Sequence, residues 1–302
     1  MINQKVNVSQ NDHHQTIGLP DGRTLGYAEY GDRQGFPVFH FHGGNSSRLE
    51  GQWLADAAAS HHIRLLAPDR PGFGLSDPHP ERTFLSWAVD VANVADALEI
   101  ERFAVMGLSG GAPHAAVVAH QLPDRITAVA LVSGLAPPNM PGQLQGMFLP
   151  LRLNFLAARY VPALNHWFLR QMSRSYADPD TFLQMVKQGM PKPDQVLAER
   201  RPLAVRQFST AAVESHRQGI SGDFTEWQLY VRPWGFQLNE ISRPVSLWYG
   251  EVDNFVPVAM GRYVAGQIPN SRLHIVSDGG HFSTINNHAG AILAELREAS
   301  AG

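Results

Sequence analysis

The chain has 302 residues, of which 44% are hydrophobic, enough for one or two domains with a substantial core. A net charge of -3 offers no surplus of positive charge to hold a phosphate backbone, so we expect no nucleic-acid partner. The chain has no cysteine, which excludes disulfides, thiolate metal sites and a cysteine nucleophile.

Residues 1–14 are mostly polar and predict a flexible tail. They lack the apolar run and the small-residue cleavage site of a secretory signal. Apolar stretches elsewhere fall far short of the roughly 18 residues that a spanning helix needs. We therefore expect no membrane span and a cytoplasmic location.

Two short strands at 16–19 and 24–32 flank an Asp21-Gly22 turn, a pattern typical of a β-hairpin. Short apolar runs then alternate with amphipathic segments. Strands are predicted at 38–41, 63–67, 103–106, 128–132, 245–249 and 273–276, and helices at 49–59, 84–98, 111–121, 260–267 and 285–298. Runs that are apolar at every position fit strands buried on both faces, so this alternation predicts a mostly parallel sheet between two layers of helices.

The alternation stops after Pro138 for about a hundred residues. This stretch reads instead as several helical pieces separated by prolines. We expect an inserted helical region here, which divides the α/β part of the chain into two segments.

The sequence Gly107-Leu108-Ser109-Gly110-Gly111 follows a predicted strand and opens a predicted helix. A serine on such a sharp turn exposes its hydroxyl, and the crowded turn favours residues without a β-carbon two positions away on either side. Ser109 is therefore the candidate nucleophile. The alternative is a glycine-rich turn that only links strand to helix.

A serine nucleophile needs an imidazole to accept its proton and a carboxylate to orient that imidazole. Asp253 follows the strand at 245–249, and His281 lies in a glycine-flanked loop after the last predicted strand. The chain order Ser, Asp, His agrees with this architecture. Glu251 and Asp278 remain alternatives for the acid.

An oxyanion intermediate needs backbone N–H donors. The strand at 38–41 ends in a glycine turn, and we choose Gly44, paired with Gly110, as the oxyanion hole; Gly43 and Asn45 remain alternatives to Gly44. His40 and His42 share one strand face, but no third ligand is evident, so no metal site is predicted.

Together His42-Gly43-Gly44, the run from Asp69 to Asp77, Gly107 to Gly111, Asp253 and Gly280-His281 resemble the α/β-hydrolase superfamily. The chain is similar to its capped, cofactor-free branch, which contains carboxylesterases, haloperoxidase-like enzymes, carbon–carbon bond hydrolases and proline iminopeptidases. The resemblance implies an α/β-hydrolase fold with a mostly parallel eight-stranded sheet and an antiparallel second strand. It also implies a core at 15–138 and 241–302, a helical cap at 139–240 and no cofactor.

Two departures narrow the choice. Haloalkane dehalogenases and most epoxide hydrolases of this fold use an aspartate nucleophile, where this chain has Ser109. Proline iminopeptidases typically carry His-Gly-Gly-Pro-Gly, where this chain has Asn45-Ser46 in the last two positions.

A cap on this fold faces the cleft over Ser109. Methionine and aromatic side chains of the inserted region suit an apolar, adaptable pocket, and the substrate-binding candidates are Met140, Met147, Phe148 and Phe155. The alternative is that they only pack the cap onto the sheet.

The leading interpretation is a carboxylesterase that cleaves small esters of short to medium acyl chains through an acyl-enzyme intermediate. Alternatives with the same residues are a carbon–carbon bond or lactone hydrolase and a proline-iminopeptidase-like amidase. An alternative of another class is a receptor or binding module that keeps the pocket without turnover. The oligomeric state stays open.

Overall fold

The computed structural model describes residues 13–176, 178, 180–181, 184 and 188–300. Residues 1–12, most of the predicted tail, lie outside the described residues. Within the described part of the chain, no helix combines the length and the apolar character needed to cross a membrane.

One eight-stranded sheet forms the centre of the molecule, in the spatial order β1-β2-β4-β3-β5-β6-β7-β8. Strand β2 runs antiparallel to both of its neighbours, and the remaining pairs are parallel. The strands are β1 (Gln15–Gly18), β2 (Thr24–Gly31), β3 (Phe36–Phe41), β4 (Ile63–Pro68), β5 (Phe103–Leu108), β6 (Ile126–Val132), β7 (Val245–Gly250) and β8 (Ser271–Val276). The predicted fold class, a mostly parallel eight-stranded sheet flanked by helices, is confirmed.

Ten α-helices are described. They are α1 (Ala55–Ser60), α2 (Phe84–Ala97), α3 (Ala112–Gln121), α4 (Leu149–Tyr160), α5 (Pro162–Tyr176), α6 (Lys192–Arg200), α7 (Pro202–Ser215), α8 (Ser221–Tyr230), α9 (Val258–Gln267) and α10 (His281–Ala299). Because neighbouring residues of a strand point to opposite faces, Phe39 packs with helices α2, α3 and α9, whereas Val38 packs with α1 and α10. Two hydrophobic layers therefore cover the sheet.

Helices α4 to α8 lie between β6 and β7, and we call them the helical insert. The prolines that predicted breaks in this region stand at helix starts: Pro150, Pro162, Pro193 and Pro202 occupy the first or second position of α4, α5, α6 and α7. Proline is favoured there because the first N–H groups of a helix have no intrahelical partner. Each of these prolines therefore marks the start of a helix of the insert.

Two predicted helices differ from the structure. The segment predicted at 49–59 is a 3₁₀ helix over Arg48–Leu54 followed by α1. The last helix begins at His281 rather than near Ile285, so the prediction that His281 lies in a loop was wrong. Its early start is possible because the carboxylate of Asp194, which lies outside the helix, accepts hydrogen bonds from the N–H groups of His281 and Ser283.

Candidate active site

Ser109 stands at the sharp turn between β5 and α3, with a backbone φ of +53°. This left-handed conformation costs a residue with a β-carbon about 1–2 kcal/mol and places strain at the tip of the strand. The two outer glycines make the turn possible. A β-carbon on Gly107 would lie 2.3 Å from the Gly111 carbonyl oxygen, and one on Gly111 would lie 2.0 Å from the Phe41 carbonyl oxygen.

Asp253 and His281 form a buried pair. The Nδ1 of His281 lies 2.8 Å from Oδ2 of Asp253, and only 4% and 5% of the two residues are exposed. The other oxygen, Oδ1, accepts hydrogen bonds from the N–H groups of Phe255 and Val256 at 2.8 and 2.9 Å. The carboxylate is therefore fixed at both ends. With Asp253 accepting from Nδ1, the lone pair of the imidazole is on Nε2.

The surroundings of His281 determine its proton affinity. Burial lowers its pKa, but the charge and the hydrogen bond of Asp253, with further contributions from Asp194 and Glu50, outweigh burial and leave the pKa above its ordinary value. These carboxylates come from the loop after β7, from helix α6 and from the segment after β3, so they face the imidazole from three elements. The arrangement favours the protonated imidazolium form of His281.

The turn after β3 is held by Glu50, a carboxylate that is only 2% exposed. Its Oε1 lies 2.9 Å from His40 Nε2, and the two oxygens accept the Gly43 N–H at 3.0 and 3.2 Å. The Gly43 N–H is thus occupied, which leaves Gly44 and Asn45 as candidate oxyanion donors. The Gly44 nitrogen lies 3.2 Å from the position that a β-carbon on Gly110 would take, so the two predicted donors are neighbours.

Arg70 also stabilises the turn after β3. Its guanidinium donates hydrogen bonds to the carbonyl oxygens of His42 and, at 3.0 Å, of Gly43. The Arg70 N–H faces His42 Nε2 at 3.4 Å, and His42 Nδ1 donates to the Gly43 carbonyl at 2.9 Å. Burial and the charge of Arg70 lower the pKa of His42 well below its ordinary value, so this imidazole is neutral and structural.

A buried carboxylate of the insert neutralises that arginine. Glu226 on α8 pairs with Arg70 at 3.1 Å and with Arg82, and Glu226 and Arg70 are fully buried. Burial raises the pKa of Glu226, but the two guanidinium groups outweigh it and hold the pKa well below its ordinary value. The insert is thereby tied to the turn that carries Gly44.

A second carboxylate of the insert contacts the histidine segment. Asp194 on α6 accepts the His281 N–H through Oδ2 and the Ser283 N–H through Oδ1, both at 2.8 Å. A β-carbon on Gly280 would lie 2.6 Å from this carboxylate. Asp194 therefore caps the helix that begins with His281, although it belongs to a different element.

The predicted nucleophile, histidine and oxyanion donors border one cleft between the sheet and the insert. The cleft has a volume of about 110 Å³. Its apolar lining comprises Leu108, Leu135, Leu151, Phe155, Met172, Phe208, Trp227, Phe255, Val256 and Phe282, and its polar lining comprises Gly43, Gly44, Asn45, Glu50, Ser109, Gly110, Tyr176, Tyr230 and His281. The geometry brings together Ser109, His281, Gly44 and Gly110, with Asp253 behind the histidine.

Of the four predicted substrate-binding residues, only Phe155 lines this cleft. Met147 is buried in the core and Met140 borders a separate surface cavity. Phe148 stacks on Phe255, a residue of the lining, with ring centres 5.9 Å apart. These three residues precede α4 in a segment without helix and are not part of the cleft lining, whereas Phe155 lies on α4 itself.

Asp194, Glu50 and Glu226 were missed by sequence reasoning. Each is a carboxylate that is almost fully buried, and each partner lies on another element or loop. A carboxylate in a helical segment is usually exposed, so no local pattern marked these residues.

Residues 37–287 match the family model described as the alpha/beta hydrolase fold. A non-heme chloroperoxidase of Streptomyces lividans is 32% identical over 140 residues, which cover 46% of this chain and about half, 51%, of that enzyme. A 2-hydroxy-6-oxononadienedioate/2-hydroxy-6-oxononatrienedioate hydrolase of Cupriavidus pinatubonensis is 29% identical over 226 residues, covering 73% of this chain and 70% of that enzyme.

Among solved structures, the enol-lactonase of Burkholderia xenovorans superposes with a TM-score of 0.70 at 20% identity. The superposition covers 95% of this chain and all of that one. At this identity the similarity supports the fold alone.

Proposed function

The chain belongs to the α/β-hydrolase family and is a hydrolase of that family, and we propose that it is a serine hydrolase of small carboxylic esters with Ser109, His281 and Asp253 as its catalytic residues. The observation that carries the proposal is the Asp253–His281 hydrogen bond of 2.8 Å beside a serine at φ +53° on the border of one cleft. A fold alone does not fix a function, so the argument rests on this site.

In the proposed reaction, Ser109 Oγ attacks the ester carbonyl while Nε2 of His281 takes the proton. Asp253 stabilises the resulting imidazolium, and the N–H groups of Gly44 and Gly110 donate to the oxyanion. His281 then gives its proton to the leaving alcohol, which produces an acyl-enzyme. A water molecule, activated by the same histidine, hydrolyses the acyl-enzyme and restores the serine.

The cleft supports a small, uncharged substrate. Ten of its lining residues are apolar. Burial raises the pKa values of the Tyr176 and Tyr230 phenols above the ordinary value, so both phenols are uncharged. A volume of about 110 Å³ is below the range of about 300–1,000 Å³ typical of drug-sized ligands. A short to medium acyl group attached to a small alcohol fits this space best.

The second candidate is hydrolysis of a carbon–carbon bond. It is supported by the similarity of 73% of this chain to the dienedioate hydrolase from Cupriavidus pinatubonensis. A dienedioate carries two carboxylates. Among the described lining residues the carboxyl side chain is that of Glu50, and no lysine or arginine stands there to bind an anion. The charge of the cleft therefore favours the neutral ester.

Turnover of p-nitrophenyl butyrate and of 2-hydroxy-6-oxononadienedioate by the wild-type chain, each compared with Ser109→Ala, separates the candidates. The proposal expects a higher kcat/KM for the ester and its loss in the variant. Turnover of the dienedioate alone would replace the proposal by the second candidate. Binding of both without turnover would indicate the binding-module alternative.

A further inference from the structure

The outer face of helices α4 and α5 exposes an unusual number of large apolar side chains. We call this the insert face, and it comprises Leu149, Leu153, Tyr160, Val161, Leu164 and Trp167. Between 48% and 68% of each of these residues is exposed. Helices α4 and α5 pack against each other, and six large exposed apolar residues on two adjoining helices are of the kind that marks an interaction site.

The charges of the same two helices have one sign. Arg152, Arg159, Arg170 and Arg174 are all exposed, and no aspartate or glutamate occurs anywhere in residues 125–177. Within the described chain, none of these four arginines forms an ion pair. The two helices are thus positive although the whole chain carries -3.

The arrangement along α4 is that of an amphipathic surface helix. Leu149, Leu153 and Tyr160 are spaced by four and seven residues and lie on one stripe, with Arg152 and Arg159 along its side. Arg159 also lies over the Tyr160 ring, with its guanidinium carbon 5.5 Å from the ring centre. Apolar side chains flanked by arginines suit an interface between a lipid headgroup layer and its acyl chains.

We propose that the insert face docks the protein on the surface of an anionic lipid bilayer. The aliphatic and aromatic side chains would insert between headgroups, and the unpaired arginines would meet lipid phosphates and acidic headgroups. A second copy of the chain is a poorer occupant, because a symmetric contact through this face would bring the same arginines of both copies together.

The opposite faces of the same helices border the cleft. Phe155 of α4 and the side chains Met172 and Tyr176 of α5 line it. A protein docked through the insert face therefore holds one wall of its cleft against the bilayer, where apolar esters concentrate. This docking is independent of the proposed ester hydrolysis, since it needs no functional Ser109.

Co-sedimentation of the full-length chain with vesicles tests the proposal without an activity readout. The wild type is expected to bind vesicles of phosphatidylcholine mixed with phosphatidylglycerol, to bind pure phosphatidylcholine weakly, and to be released as salt screens the charges. The double variant Arg152→Glu/Arg159→Glu should lose affinity about thirtyfold or more, because each arginine near an anionic surface is worth about fivefold and the reversal adds repulsion. Trp167→Ala should weaken binding by removing apolar contact.

The matched control is Arg102→Glu/Arg272→Glu, which reverses two exposed arginines at the amino ends of β5 and β8, whereas the insert follows the carboxyl end of the parallel strand β6. It has the same net charge as the first double variant and should bind vesicles like the wild type. Circular dichroism checks that all variants fold. Equal loss in both double variants would reduce the effect to net charge and overturn the proposal. So would an absence of binding to anionic vesicles, or a dimer that only the insert-face variants dissociate.

Discussion

The carboxylate of Asp194 accepts the backbone N–H of His281 at 2.8 Å, although the two residues are 87 positions apart and belong to the insert and to the last helix of the core. The same carboxylate accepts the Ser283 N–H at 2.8 Å, so it satisfies two of the donors that begin α10. The proposed general base is therefore fixed on two sides, by Asp253 at its imidazole and by Asp194 at its backbone. Packing of the insert and orientation of the histidine are coupled through this contact.

Asp194→Asn is expected to lower kcat about tenfold, because an amide has one oxygen where the carboxylate uses two to accept hydrogen bonds. The loss of its negative charge should also move the acid limb of the kcat/KM profile to lower pH, since that charge helps to raise the pKa of His281. Glu199→Gln removes an exposed charge from the same helix and should change neither quantity. An unchanged pH profile in Asp194→Asn would leave Asp194 a purely structural residue.

The wild-type pH profile follows from the groups that face His281. Asp253, Asp194 and Glu50 raise its pKa against the effect of burial, so the protonated, inactive imidazole persists above the ordinary pKa of about 6.5. We expect kcat/KM to rise with pH, with an apparent pKa above that value. An acid limb well below pH 6.5 would contradict this description of the site.

Asp253→Asn keeps the shape of the side chain, but its amide NH₂ can donate to Nδ1 of His281. The imidazole proton then moves to Nε2, which can no longer accept the proton of Ser109. We expect a loss in kcat of about 10³ to 10⁴. Glu251→Gln changes an exposed carboxylate two positions away and should cost far less. A greater loss from Glu251→Gln, or from Asp278→Asn, would show that the acid has been assigned to the wrong carboxylate.

The strands and the serine turn could be predicted because their signals are local. Strand β5 is apolar at every position. The need for glycine at positions 107 and 111 can be recognised from the five consecutive residues of the serine turn. The same holds for the Asp21-Gly22 hairpin. Asp253 and His281 followed from chain order once the strands were placed.

The insert could not be predicted to the same depth. Met147 precedes α4 and Phe155 lies on it, and both side chains are buried and apolar, yet Phe155 lines the cleft and Met147 does not. Which face of an insert helix meets the cleft depends on packing between helices distant in sequence. The contact of Asp194 with His281 has the same origin, since each side chain finds its partner only in the folded chain.

Glu226 should matter for stability more than for chemistry. Glu226→Gln leaves the buried guanidinium groups of Arg70 and Arg82 without a counter-charge, and we expect a loss of about 3–5 kcal/mol in the free energy of unfolding. Glu240→Gln removes an exposed partner of His120 and should cost less than about 1 kcal/mol. Urea unfolding of both variants measures the difference, and equal costs would mean that the buried cluster is not the link between insert and core.

Acyl-chain length tests the small cleft. Each added methylene should first raise kcat/KM about fourfold, which corresponds to about 0.8 kcal/mol of burial, until the volume of about 110 Å³ is filled. Activity should then decline, and Phe208→Ala, which removes one wall, should move the maximum to a longer chain. A series of p-nitrophenyl esters provides the measurement. Undiminished kcat/KM for long acyl chains would argue against a closed cleft.

The most direct measurement is the mass of the enzyme after reaction with a fluorophosphonate, followed by peptide mapping. A serine activated by His281 should react once per chain, with the whole mass increase on the peptide that contains Ser109, and Ser109→Ala should remain unlabelled and lose about 10⁴ or more in kcat for esters. Labelling of a different residue, or ester turnover by Ser109→Ala within tenfold of the wild type, would contradict the assignment of Ser109 as the nucleophile.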